Sequence, residues 1–338
     1  MDLNTIWFVL VGVLLTGYAM LDGFDLGVGA LHLFTRTDMH RRMMLNAIGP
    51  VWDGNEVWLV TGGGALFAAF PEVYSTVFSG FYIPFMVLLF ALIFRAVAIE
   101  FRSKVHYFWW RQMWDVAFSC GSILAAFLIG VTIGNIVYGI NLTSQFEFRG
   151  TLLHQIHLYS IFVGITTVSL FMMHGAIYMV MKTEGEMREI AQKWVRKTVI
   201  FFLFCYVIFN VLTLFFVPHV VEIVKSRPYT LGILLLNILA VLNIVRQARR
   251  RHYFYAFLSS CAVIILLMTL FACSMYPNMV FSYPNLANSL TIYNAASTDK
   301  TLGIMLIVAG IGVPIVLAYT FSVYWIFRGK VHITDESY

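Results

Sequence analysis

The chain has 338 residues, of which 60% are hydrophobic and 12% are charged, whereas about 25% of the residues in a typical soluble domain are charged. Together with a mean hydropathy of +0.81, this composition excludes a soluble globular protein and predicts an all-α integral membrane protein that crosses the bilayer several times. The net charge of +5 does not indicate nucleic-acid binding, because the basic residues lie in short loops between apolar segments rather than in one patch.

Nine segments are apolar and long enough to cross a hydrocarbon core of about 30 Å at about 1.5 Å per residue. In chain order these predicted spans are residues 6–34, 45–70, 75–101, 114–140, 158–181, 198–224, 229–245, 253–281 and 301–327. We expect them to form a single polytopic membrane domain over residues 1–338. Pro50 and Pro84 predict kinks in the second and third spans.

The basic residues divide unequally between the two sides of the predicted bundle. Seventeen of the 22 lysines and arginines follow spans one, three, five, seven and nine, and four lie in the opposite loops. Because cytoplasmic loops carry an excess of lysine and arginine, this division predicts that the N-terminus is outside and that the C-terminus is cytoplasmic.

Four carboxylates lie inside the first two spans. The run LDGFDLGVG contains Asp22 and Asp25, and the run GPVWDGNEVW contains Asp53 and Glu56. Each pair is spaced i,i+3, so both carboxylates of a pair are expected on one face of a helix. An aspartate at the centre of a span costs about 2.5–3.5 kcal/mol on insertion scales, and such residues mark bundle interiors, water-filled cavities or proton relays. The alternative is that they only hold helices together through hydrogen bonds and an arginine partner.

The third span adds one arginine and one further acid. Counted along the helices from the nearest loop arginine, Asp25 and Asp53 lie about 16 Å from the cytoplasmic end and Arg95 about 10 Å from it, with Glu100 at the mouth. These side chains predict a polar track that is open to the cytoplasm. The predicted proton pathway consists of Asp22, Asp25, Asp53, Glu56 and Glu100. No catalytic nucleophile and no metal site is expected in this chain, and Gly23 and Gly27 predict close helix packing beside the acids.

The second half has no acid pairs and is interpreted as scaffold. His174 is interpreted as a hydrogen-bonded packing residue, because helical haem proteins usually present paired axial ligands on facing helices. One alternative is a haem-bearing membrane anchor that pairs His174 with His154, His157 or His219. Another is a secondary transporter that binds a coupling proton at the acids, although transporters tend to have interrupted helices in both halves.

Four sequence runs, spread over essentially the whole chain, resemble subunit II of cytochrome bd-type quinol oxidases. They are GFDLGVG at 23–29, GPVWDGNEVWLV at 49–60, FRAVAIEFRSK at 94–104 and LTIYNAAS at 290–297. The resemblance implies a fold of two four-helix bundles plus one extra helix, in a bacterial or archaeal plasma membrane. It also implies a respiratory quinol:oxygen oxidoreductase. Within this enzyme complex, the resemblance implies that subunit II supports the haem-bearing subunit I and helps deliver cytoplasmic protons for the reduction of oxygen to water. The complex thereby contributes to the proton motive force.

The same resemblance implies the cofactors and partners. Haem b and haem d are expected in subunit I, with a quinol substrate and, in some members, a structural quinone. The expected partners are subunit I, membrane lipids and a small accessory single-helix subunit. Asp25, Asp53 and Arg95 match positions to which the family assigns a proton-conducting or haem-proximal role, with Arg95 acting electrostatically. The cyanide-insensitive branch has a similar subunit II, and the sequence does not separate the two branches.

Overall fold

The computed structural model describes residues 2–333, which form thirteen α-helices and one two-stranded sheet. In chain order the helices are α1 (Leu3–Leu31), α2 (Asp38–Ile48), α3 (Trp52–Ala69), α4 (Pro71–Gly80), α5 (Tyr82–Phe101), α6 (Phe108–Tyr138), α7 (Leu152–Gln155), α8 (Leu158–Lys182), α9 (Gly185–Phe216), α10 (Pro218–Ser226), α11 (Pro228–Arg249), α12 (Tyr253–Met275) and α13 (Asp299–Ile326). Within this described part, eight helices are long and apolar enough to cross a membrane: α1, α5, α6, α8, α9, α11, α12 and α13. A ninth span arises if α3 and α4 are counted together.

The long helices pack as two four-helix bundles, with α13 outside them. Helices α1, α3, α5 and α6 form the first bundle, and α8, α9, α11 and α12 form the second. Helix α1 packs on α8 so closely that a Cβ atom on Gly27 would lie 1.8 Å from the carbonyl oxygen of Phe171. The predicted all-α membrane fold and the close packing at this glycine are therefore confirmed.

The predicted second span, residues 45–70, is broken in the structure. Helix α2 ends before Pro50 and α3 begins after it, so the predicted kink is a complete break. A proline within a helix removes a backbone hydrogen bond and clashes with the preceding turn, which explains the break. The depth predicted for Asp53 assumed an unbroken helix from Arg42, and the turn at residues 49–51 removes the basis for that depth.

The predicted third span, residues 75–101, consists of parts of two helices. Pro71 begins α4, and Phe70 before it has φ −134° and ψ 67°, because the residue preceding a proline avoids the α-helical region. Helix α4 turns away from α3 by 119°.

The kink predicted at Pro84 lies one turn before the proline, at Phe81 (φ −103°, ψ 28°), where α4 ends and α5 begins. Pro84 is therefore in the first turn of α5, and the Gly80 carbonyl, four residues before it, accepts a hydrogen bond from the Gln155 side chain instead.

Two later spans end earlier than predicted. The span 198–224 contains a break, because α9 ends before Pro218 and α10 begins there. Helix α9 also starts before residue 198. The prediction began too late because the first turns of α9 are charged, and hydropathy does not recognise charged residues as part of a span. The span 253–281 is cut short at the end of α12, after which the chain forms strand β1 (Asn278–Val280), which pairs with β2 (Leu290–Thr291).

The run LTIYNAAS folds over the end of α3. Leu290, Ile292 and Ala295 are buried in a cluster with apolar residues from α1, α3 and α4. Ser297 donates from its backbone N–H to the Ala69 carbonyl over 2.9 Å and from its hydroxyl to the Ala68 carbonyl over 2.7 Å. These bonds satisfy carbonyl groups that the end of a helix leaves without helical partners.

Candidate functional site

The first bundle encloses a polar group around Arg95 of α5, which we call the Arg95 cluster: Asp22, Asp25, Asn55, Glu56 and Arg95. The side chains of Arg95, Asp22 and Asp25 are 0% exposed. Arg95 donates from Nη1 to Asp22 Oδ2 over 3.0 Å and from Nη2 to Asp22 Oδ1 over 2.5 Å. Two parallel hydrogen bonds of this kind fix both the distance and the orientation of an arginine–carboxylate pair.

Two further carboxylates face the same guanidinium at longer range. Asp25 Oδ2 lies 4.0 Å from Arg95 Nη2, and Glu56 Oε2 lies 3.9 Å from Nη1. Glu56 is the partly exposed member, with a side-chain exposure of 20%. One positive charge thus faces three carboxyl groups, so the charges balance only when two of the carboxyl groups carry a proton. Uncompensated charge in a buried site is expensive, and the proton-pathway role of these carboxyl groups stays a prediction.

Asn55 connects the cluster to the last helix. Its side-chain amide donates to Asp25 Oδ2 over 2.7 Å and to the Leu21 carbonyl over 3.2 Å, and its oxygen accepts from the Tyr324 hydroxyl over 2.8 Å. The sequence analysis missed both residues. Asn55 directly precedes Glu56 in the acidic run, so its position next to a predicted acid is a signal that could have found it. No local sequence pattern indicates Tyr324 on α13.

The remaining two predicted acids lie apart from the cluster. Asp53 is exposed in the first turn of α3, where a negative charge interacts favourably with the helix dipole. It shares the outer face of α3 with Val57 and Val60, which are 46% and 72% exposed. Glu100 is partly exposed five residues beyond Arg95, which places it about 140° around α5. The structure therefore gathers three of the five predicted acids around the arginine.

A second polar group lies at the basic end of the first bundle, where α1 and α5 end and α2 and α6 begin. Asp115 accepts hydrogen bonds from His32 Nε2 over 2.6 Å, from Arg41 Nη1 over 2.8 Å and from Arg102 Nε over 2.5 Å. Arg102 also donates to Asp38 over 2.7 Å. The sequence analysis missed Asp115 because it is the second residue of a predicted span, and it treated the arginines only as loop charges. An acid at a span end beside arginine-rich loops is the signal that would have found it.

His174 is fully buried and both of its ring nitrogens have partners. Nδ1 lies 2.7 Å from Ser260 Oγ, and Nε2 lies 3.0 Å from the Met20 carbonyl oxygen. The ring also stacks on Phe257, with 4.7 Å between the ring centroids. These contacts agree with the interpretation of His174 as a packing residue, since neither nitrogen is free to ligate iron.

The other candidate haem ligands lie at helix beginnings rather than in a bundle core. His157 caps α8, and its Nε2 lies 3.2 Å from Asn135 Oδ1. His219 lies in the first turn of α10, with Nε2 3.0 Å from the Val137 carbonyl oxygen. Burial lowers the pKa of both histidines, which keeps them neutral. His154 belongs to the short helix α7. His154, His157 and His219 therefore do not pair with His174 as ligands on facing helices, which is the arrangement that the haem-anchor alternative requires.

Comparisons with known proteins agree over nearly the whole chain. Residues 3–327 match the family model described as cytochrome bd terminal oxidase subunit II. Cytochrome bd-I ubiquinol oxidase subunit 2 of Escherichia coli strain K12 is 33% identical over 364 aligned positions, which cover 98% of this chain and 96% of that protein. Cytochrome bd ubiquinol oxidase subunit 2 of Bacillus subtilis strain 168 is 33% identical over 331 positions, covering 98% and 97%.

The fold also matches a solved structure. A chain of the bd oxidase from Geobacillus thermodenitrificans superposes with a TM-score of 0.80, covering 97% of this chain and 99% of that chain. The sequence identity in this superposition is 15%, so the match supports the fold alone.

Proposed function

Since the chain belongs to the cytochrome bd terminal oxidase subunit II family, we propose that it delivers protons to a quinol:oxygen oxidoreductase whose haem groups are bound by a partner subunit I. Its homologues are subunits of cytochrome bd ubiquinol oxidase, an oxidoreductase complex. Membership of this family implies haem and quinol in the complex and a second, partner subunit. The observation that carries the proton-delivery role is the burial of three carboxyl groups around one arginine in the first bundle.

The carboxyl groups of the cluster have different tasks in this proposal. Asp22 is held by two hydrogen bonds to a guanidinium that stays charged at physiological pH, so it serves as the fixed counter-ion of Arg95. Asp25 and Glu56 lie 4.0 Å and 3.9 Å from the Arg95 guanidinium and lack such a pair of hydrogen bonds, and they exchange protons. Reduction of oxygen to water consumes protons, and a reaction site inside a membrane needs such groups to supply them.

We assign the haem groups to subunit I, because the four candidate histidines, His154, His157, His174 and His219, do not form paired ligands on facing helices. Haem supplies the electron transfer to oxygen when it is bound in the partner. Arg95 lies inside the first bundle and is paired with Asp22, and its haem-proximal role remains a prediction. A structural quinone, a small accessory subunit and bound lipids remain proposals that rest on the family alone.

The outer face of α3 supports contact with subunit I. Asp53 is exposed on this face beside two exposed valines. A carboxylate that faced lipid would be costly, whereas a partner helix or a water-filled interface offers hydrogen-bond donors. We therefore place subunit I against α3. In this arrangement Asp53 lies at the interface, three residues before Glu56, and passes protons to it.

The proposed orientation puts the basic end in the cytoplasm, following the excess of lysine and arginine in the loops on that side. Protons drawn from the cytoplasm then cross part of a bacterial plasma membrane before they are consumed. Each charge moved through the full potential is worth about 2.3 kcal/mol per 100 mV. Proton delivery by this route therefore contributes to the proton motive force.

Substitution of Asp25 in the assembled complex tests the function. Asp25→Asn keeps the size of the side chain but cannot ionise, so we expect oxygen consumption to fall about tenfold or more at an unchanged haem-to-protein ratio. Asp25→Glu should retain more activity than Asp25→Asn. Asp299→Asn, at an exposed carboxylate in the first turn of α13, is the matched control and should turn over normally. Wild-type turnover of Asp25→Asn would leave only a packing role for the cluster.

A further inference from the structure

One face of α1, continued by His32 in the turn that directly follows the helix, carries a stripe that links the Arg95 cluster to the basic end. Its members are Tyr18, Asp22, Asp25, Gly29 and His32, which are spaced alternately by four and three residues. At about 100° per residue this spacing keeps all five within an arc of about 80°. The segment between Asp25 and His32 is about 10 Å long.

Helix α6 lies antiparallel along this segment and supplies polar groups to it. Asp115 meets His32 at the basic end. Ser122 lies against the backbone of Gly29, where an added Cβ atom would be 2.0 Å from the serine oxygen. The Ser122 hydroxyl donates to the Phe118 carbonyl over 2.7 Å, so its oxygen can still accept a hydrogen bond. A hydroxyl group thus lies between Asp25 and His32.

The hydrogen bonds of His32 define the state of its ring. A carboxylate that accepts from two arginines has no proton to give, so the shared proton lies on His32 Nε2. The opposite nitrogen, Nδ1, is then an acceptor, and it is buried without a hydrogen-bond partner among the described residues. Asp25 Oδ1, at the other end of the segment, is also buried without a partner among them.

Unpartnered buried polar atoms are rare in native structures and need an explanation. Ten such atoms occur among the described residues, and two of them, His32 Nδ1 and Asp25 Oδ1, lie at the two ends of one polar segment with a hydroxyl group between them. Bridging water of the kind that binds buried polar groups would join these three positions into one hydrogen-bonded chain.

We propose that His32 is a proton-relay residue of this chain. Its side chain is 0% exposed, so protons reach it through water from the basic end, and it passes them through Ser122 and bridging water to Asp25. His32 Nδ1 accepts a proton and later releases the same proton toward Asp25, so the ring returns to its neutral form. Asp115 stays a carboxylate throughout and stabilises the imidazolium through the Nε2–H bond. Arg41 and Arg102, which also face Asp115, fix its position. This inference rests on the proposed proton-delivery function and adds the route by which protons arrive.

The alternative is that His32 only completes the hydrogen bonds of Asp115. His32→Asn separates the two roles, because an asparagine can donate to Asp115 but cannot carry a proton. The matched control is His40→Asn. His40 is nearly buried on α2, with Nε2 3.6 Å from the exposed carboxylate of Glu186.

The test uses the intact complex co-expressed with subunit I and compares the haem-to-protein ratio and the oxygen consumption in H₂O and D₂O. We expect His32→Asn to keep its haem, to turn over about fivefold or more slowly, and to show a larger solvent isotope effect than the wild type. His40→Asn should match the wild type in all three. His32→Asn with wild-type turnover and isotope effect would overturn the proposal.

A second variant decides the outcome if His32→Asn fails to assemble with haem. Ser122→Ala removes the intermediate hydroxyl and leaves the Asp115 hydrogen bonds intact, so slowed turnover with a raised isotope effect supports the route and wild-type values overturn it. Asp25→Asn distinguishes the two proposals. If Asp25→Asn turns over slowly while His32→Asn turns over at the wild-type rate, only the route through His32 is wrong. If both variants turn over at the wild-type rate, the proposed proton delivery is wrong as well.

Discussion

Replacing Arg95 with leucine should leave the buried carboxylates of the Arg95 cluster without a positive counter-ion. Arg95 and Asp22 are both 0% exposed and are joined by two hydrogen bonds. Removing one partner of a buried ion pair costs about 3–5 kcal/mol. Asp25 and Glu56 lose the same counter-charge at 4.0 Å and 3.9 Å. Since whole domains are stable by only about 5–15 kcal/mol, we expect Arg95→Leu to lose most of the haem-loaded complex.

Graded variants separate charge from packing. Arg95→Lys keeps a positive charge but cannot form the two parallel bonds, so its effect should be intermediate. Asp22→Asn combined with Arg95→Leu removes the stranded charge together with the arginine and should recover part of the loss. Asp53→Asn, on the surface of α3, should harm assembly less than Arg95→Leu does.

The assay is purification of each complex followed by its haem-to-protein ratio, thermal inactivation midpoint and turnover. We expect haem content and midpoint to decrease in the order wild type, Arg95→Lys, Arg95→Leu. An Arg95→Leu complex with full haem content and an unchanged midpoint would refute the assigned electrostatic role.

Two further predictions concern topology and haem. Cysteines introduced at the exposed positions Met39 and Arg250 should be labelled from the cytoplasm and one at Leu286 from outside, following the basic residues in the loops; labelling of Met39 and Leu286 from the same side would contradict the orientation. The chain purified without subunit I should show no Soret absorption, because we assign the haem groups to subunit I, and a Soret band from the chain alone would reassign haem to it.

Helical periodicity placed the first acid pair well but did not place the second. Asp22 and Asp25 share one face of an unbroken helix, and both lie in the Arg95 cluster. Asp53 and Glu56 have the same spacing, yet only Glu56 reaches the arginine. Periodicity gives the angle between two side chains, whereas the rotation of the helix against its neighbours, which decides the burial of each, depends on tertiary packing.

The partners missing from the sequence analysis are far apart along the chain. His32 and Asp115 are separated by 83 residues, and Asn55 and Tyr324 by 269. No local pattern reports such contacts. Hydropathy likewise located the apolar segments but not the helix breaks, which depend on prolines and on backbone angles at single residues such as Phe70.

Proton uptake by the assembled complex is the most direct test of proton delivery through the Arg95 cluster. The fully reduced complex is mixed with oxygen, and proton uptake from solution is followed with a pH-sensitive dye in the wild type and in Asp25→Asn. We expect Asp25→Asn to take up protons about tenfold or more slowly than the wild type at equal haem content. Uptake at the wild-type rate in that variant would contradict proton delivery through the Arg95 cluster.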